Sequence, residues 1–139
     1  MAVVNSDRSV RSRVARVLIT LVSVVLLGSA AAKFAQVPVV ASKMAVLGFD
    51  GSKLLLIAVL ELVSAILFAL PRTRAFGLLM ASAYLGGAIA AHVGHNQAPF
   101  QPVFVLALLW IAAAVWNRET LWTSRGHLRD LSGRPDLEF

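Results

Sequence analysis

Apolar residues gather along this chain into four runs separated by short polar stretches. The first extends from Val17 to Phe34, after a head carrying Arg8, Arg11, Arg13 and Arg16. The second, Leu54 to Leu70, stops at Pro71, a residue that lacks the N–H a helix interior needs. The third covers Ala75 to Val93 and the fourth Pro102 to Trp116. A helix rising about 1.5 Å per residue needs about 20 residues to cross a bilayer, within a range of roughly 17–25. The pattern predicts an all-α fold, a bundle of four transmembrane helices, the fourth short unless its flanks contribute. Pro71-Arg72-Thr73-Arg74 predicts a tight turn that makes the second and third helices an antiparallel hairpin. Between Gln36 and Lys53, the loop with Pro38, Gly48 and Gly51 has room for a short interfacial helix. The loop from Gly94 to Gln101 carries His95, Asn96 and Pro99.

Composition agrees with the pattern. Of 139 residues, 58% are hydrophobic and 14% charged, against about 45–50% and 25% in soluble domains. A soluble domain this small could not bury so much apolar surface. The net charge of +6 raises nucleic acid as a partner, but the charges flank apolar runs and form no patch interleaved with aromatics, so nucleic acid is not expected. Their placement sets an orientation instead. All ten arginines fall in residues 1–16, 71–74 and 117–139, while the opposite side holds only Lys33, Lys43 and Lys53. By the positive-inside rule both termini are cytoplasmic. The chain divides into a basic cytoplasmic segment 1–16, a four-helix membrane domain 17–116 and a cytoplasmic tail 117–139. Trp116 and Trp122 are expected at the inner interface, and Arg72 and Arg74 are expected to act as topology determinants alone. The basic head, the apolar run to Gly28 and Ser29-Ala30-Ala31-Ala32 imitate a secretory signal; retention of the first helix is the favoured reading. With no cysteine, thiolate metal sites and cysteine redox chemistry are excluded.

Glu61 is the most informative position. It lies eight residues from Lys53 and ten from Pro71, roughly 12 Å and 15 Å from the ends of its helix at about 1.5 Å per residue. A charged group at that depth costs about 2.5–3.5 kcal/mol on insertion scales, so it is expected to face the bundle interior and find a partner. Ile57, Ala58, Ser64, Ala65 and Phe68 share its broad face. Across the 71–74 turn, Tyr84 should lie at similar depth. The third helix carries Gly77, Ala81, Tyr84, Ala88 and Ala91 at spacings of three and four, a stripe that favours close helix approach. Gly86 and Gly87 leave either intimate packing or room for a ligand. Lys33 either snorkels outward or turns in toward Glu61. Lys33, Glu61, Tyr84, Gly86, Gly87 and His92 are the candidate ligand-binding set, and Glu61, Tyr84 and His92 the candidate acid–base groups. His92 and His95 have a ligating i, i+3 spacing, but no second ligand pair is visible and no metal site is expected.

Several of these residues carry a resemblance. Ala30-Ala31-Ala32-Lys33-Phe34, Leu47-Gly48-Phe49, Ala58-Val59-Leu60-Glu61-Leu62 and Leu70-Pro71-Arg72-Thr73-Arg74 with Gly77 occur in order. Tyr84-Leu85-Gly86-Gly87-Ala88-Ile89-Ala90-Ala91-His92, Leu109-Trp110 and Asn117-Arg118-Glu119 follow. Over about residues 15–120 the chain resembles the DoxX-like family of small bacterial four-helix membrane proteins. One departure stands after His92, where Gly94 and His95 replace an often basic position. The resemblance implies the bacterial inner membrane, singles out Lys33 and Glu61, and suggests a redox setting in which a quinone is a possible cofactor. It implies no single activity.

Three functions compete. The first is a non-catalytic membrane subunit or scaffold whose arginine-rich cytoplasmic face docks an oxidoreductase. The second is a small membrane enzyme or lipophilic-ligand site using Glu61 with Tyr84 or His92. The third, a transporter or channel, would need a homo-oligomer, since four short helices show no inverted repeat or broken helix.

Overall fold

The computed structural model of the chain describes the backbone over residues 2–132, and side chains at residue 10 and over residues 12–117. Five helices follow in order: α1 (Ala2–Phe34), α2 (Pro38–Val46), α3 (Gly51–Ala69), α4 (Arg74–Gly94) and α5 (Phe100–Ser132). No strand occurs among the described residues. Four stretches are long and apolar enough to cross a membrane: Ser12–Phe34, Gly51–Ala69, Arg74–Gly94 and Phe100–Asn117. The fifth helix, α2, has nine residues. It is too short to span and occupies the long loop where an interfacial helix is expected.

The spanning helices match the apolar runs, but α1 and α5 outlast them. Helical backbone is present from Ala2 and persists to Ser132. Hydrophobicity decides where lipid ends, whereas a helix continues until its backbone bonding is interrupted, and neither flank contains a proline within the helix. The side chains of Arg8, Arg11, Arg118, Trp122, Arg125 and Arg129 lie outside the described residues, as does Arg134 altogether.

α1 packs against α3 and α5, and α4 packs against the same two helices. The bundle is thus four-cornered, with α1 and α4 at opposite corners. Val22, Leu26, Ala65, Phe68, Ala81 and Leu109 lie in its core, while Leu21, Leu56, Phe76, Leu79 and Phe104 point outward. Large apolar side chains on the outside suit a lipid solvent.

The α3–α4 turn shows why this hairpin is tight. Leu70, before Pro71, is extended (φ −77°, ψ 127°), as the residue preceding a proline prefers. That leaves the last α3 carbonyls without helical partners. Thr73 Oγ1 donates to Leu67 O at 2.9 Å, Arg74 Nε to Phe68 O at 3.1 Å and Arg74 Nη2 to Ala69 O at 3.2 Å. The Arg74 guanidinium also stacks over Trp116 of α5, 5.0 Å from the ring centroid, a cation–π contact. Arg74 is therefore more than the topology determinant its charge suggests: it caps α3 and ties the turn to α5. Gly77, one turn on, is buried against α3; a Cβ there would overlap the backbone of Leu67 and Phe68.

Three helices at the opposite end close the same way. Val37 N donates to Ala32 O, Phe49 N to Met44 O and Gln97 N to His92 O. The residue before each donor is left-handed: Gln36 (φ 48°), Gly48 (φ 76°) and Asn96 (φ 54°). This six-to-one closure satisfies orphan carbonyls and turns the chain sharply. His95 lies over Gly48, its Nε2 3.6 Å from where a Cβ would stand, which joins the end of α4 to the α2–α3 loop.

Candidate functional site

The α2 end of the bundle contains a cavity of about 450 Å³, within the roughly 300–1,000 Å³ typical of small-molecule sites. All four spanning helices line it, together with Met44, Leu47 and Phe49 from α2 and the loop after it. Its wall is largely apolar, with Val25, Leu26, Ile57, Met80 and Val105 contributing. Lys33, Glu61, Tyr84 and His92, named from sequence on three different helices, all border this one space.

Lys33 turns inward and does not snorkel. Its Nζ donates to Glu61 Oε2 at 2.7 Å and to Ser29 Oγ at 2.7 Å. Lys33 is 5% exposed and Glu61 3%, so each neutralises a charge that lipid would otherwise have to accommodate. Position helps as well, because Lys33 sits in the last turn of α1, where the helix dipole favours a cation. Tyr84, on α4, borders the same cavity as the Glu61 carboxylate. Glu61 shares its buried face with Ala58, Ser64, Ala65 and Phe68, as the helical spacing predicts.

His92 borders the cavity near the end of α4. Its Nδ1 is 2.8 Å from Ala88 O. A carbonyl oxygen can only accept, so Nδ1 carries the proton and Nε2 of the neutral ring is an acceptor. His95 Nδ1 donates to Ala91 O at 2.9 Å in the same manner. Among the described residues, no group of three or more His, Cys, Asp or Glu side chains gathers that could hold a metal ion.

Gly86 and Gly87 divide. Neither would meet another atom within 4 Å if given a Cβ, so intimate packing is not their role; Gly87 lines the cavity and Gly86 does not. Close approach belongs to Gly77 and Ala81, both buried. Sequence reasoning missed Ser29, hidden in a small-residue run, although it stands four residues before Lys33 on the same helical face. It also missed Met44, Leu47, Phe49 and Gln101, whose contribution depends on where the loops fold.

The family model described as the DoxX-like family matches residues 17–115. The chain belongs to the DoxX-like family. The match takes in most of each of the four spans of this DoxX-like protein and leaves the basic head and the polar tail outside it. No curated protein and no solved structure matches the chain.

Proposed function

We propose that this DoxX-like protein is a non-catalytic subunit of the bacterial inner membrane that holds a lipophilic small molecule, with both termini in the cytoplasm. The observation that carries this reading is the cavity bordered together by Lys33, Glu61, Tyr84 and His92. An apolar wall with a few convergent polar groups is the usual make-up of a ligand site. The exposed lining residues Val25, Leu60, Ala83 and Gly87 lie within spanning helices, which supports access from the hydrocarbon. Binding is favoured over turnover because the obvious base, Glu61, is already engaged by Lys33. A quinone, the cofactor the resemblance implies, fits this wall and its Lys33 donor in its reduced, hydroxyl-bearing form; when bound it would supply electron transfer. The arginine-rich side would then dock a cytoplasmic oxidoreductase.

Gly87→Leu tests the site, since the new side chain has room to grow into the cavity without displacing a neighbour. Solvent extraction and mass spectrometry of the purified protein should find a lipophile in near-stoichiometric amount in the unaltered chain. The variant, at equal yield, should have lost it. Equal retention by both would remove the cavity as the binding place.

A further inference from the structure

The hydrogen-bonding capacity left over at the cavity wall defines the head group of its occupant. This inference rests on the ligand-site reading above and adds the ligand's chemical class. An ammonium carries three N–H donors. Two of those on Lys33 are committed to Ser29 Oγ and Glu61 Oε2, and the third has no acceptor among the described residues. His92 supplies the opposite capacity. In the neutral ring, with Nδ1–H committed to Ala88 O, Nε2 is the lone-pair acceptor, and His92 lines the same cavity. Charge is already balanced, one cation against one anion at 2.7 Å, so a charged head would bring an uncompensated charge into an apolar space.

We infer that the cavity selects an uncharged, hydroxyl-headed amphiphile, whose oxygen accepts from Lys33 and whose O–H donates to His92 Nε2. A hydroxyl is the smallest head that both donates and accepts, and its apolar tail lies along Leu26, Ile57 and Val105. A carboxylate would stand against Glu61 and an alkylammonium against Lys33. An alkane would leave both capacities unmet.

The test uses the full chain in lipid nanodiscs, with empty nanodiscs as the background, and four probes of one chain length: dodecanol, dodecane, dodecanoate and dodecylammonium. Saturable binding is read by equilibrium dialysis near neutral pH. Dodecanol should bind about tenfold more tightly than dodecane, the effect of roughly one net hydrogen bond, and more tightly than either ion. His92→Phe should reduce the preference for dodecanol over dodecane, read as the ratio of the two affinities in that variant. His92→Gln, whose amide oxygen restores an acceptor, should recover part of that preference. Equal binding of dodecanol and dodecane, or tighter binding of an ion, overturns the head-group assignment while leaving the cavity reading in place. Saturable binding of none of the four overturns both.

Discussion

Lys33 and Glu61 are 28 residues apart in the chain and bond at 2.7 Å. Removing either partner strands the other in an apolar medium, typically costing about 3–5 kcal/mol, whereas replacing both with well-packed apolar residues is often neutral. Lys33→Ala and Glu61→Ala should therefore each lower unfolding free energy in bicelles by roughly that amount, and Lys33→Met with Glu61→Leu should recover most of it. Additive losses in the double variant would show that the two groups act independently. Glu61 as a buried, small-neighboured carboxyl was legible from spacing alone. Its partner stays open in the sequence, where Lys33 either snorkels outward or turns inward. Whether Lys33 turns toward water or inward depends on a neighbouring helix placing a carboxylate within reach, which no local pattern records. The His92 tautomer is set more locally, by a carbonyl four residues back, yet the ring's place at the cavity wall depends on how α4 is rotated.

Among the helices, α3 and α4 pack closely at the turn end, through Gly77, and both line the cavity further along. Gly77 marks the tight side. Gly77→Ala should destabilise the bundle by about 1–3 kcal/mol or more, as overpacking does, because the obstructing atoms are backbone and cannot rotate away. Gly86→Ala, with open space around it, should be neutral or slightly stabilising, since alanine favours a helix by up to about 1 kcal/mol over glycine. Thermal unfolding of the two variants side by side checks this; equal losses would refute the assignment of tight packing to Gly77. Spacing puts Gly77 in the stripe of small residues but leaves Gly86 and Gly87 open between packing and room for a ligand. What each faces in the folded bundle separates them. Arg74 teaches the same lesson, because its basic charge reads as orientation until the turn brings the α3 carbonyls and Trp116 around it.

For the molecule as a whole, the distribution of charge predicts a direction in the membrane. The chain has no cysteine, so single introduced cysteines report cleanly. Ser42 on α2 and Ala75 beside the turn are both exposed. With cytoplasmic termini, Ser42→Cys should react with a membrane-impermeant maleimide on intact cells, and Ala75→Cys only after lysis. The reverse labelling pattern would invert the orientation. The proposed head-group selectivity is also a property of this scale, because its donor lies on α1, its acceptor on α4, and its walls on all four spanning helices.

The number of spanning helices, their approximate limits, the face that buries Glu61 and the one-sided arginines all follow from the sequence. Each is a local sum: partition into lipid depends on the apolar content of about twenty consecutive residues, and the face of a helix on its period of 3.6. The inward turn of Lys33, the union of Tyr84 and His92 with it at one wall, the difference between Gly77 and Gly87 and the cavity itself were decided by tertiary structure. Those features depend on which helices adjoin, at what rotation and how far apart, quantities that exist only after distant segments have packed together.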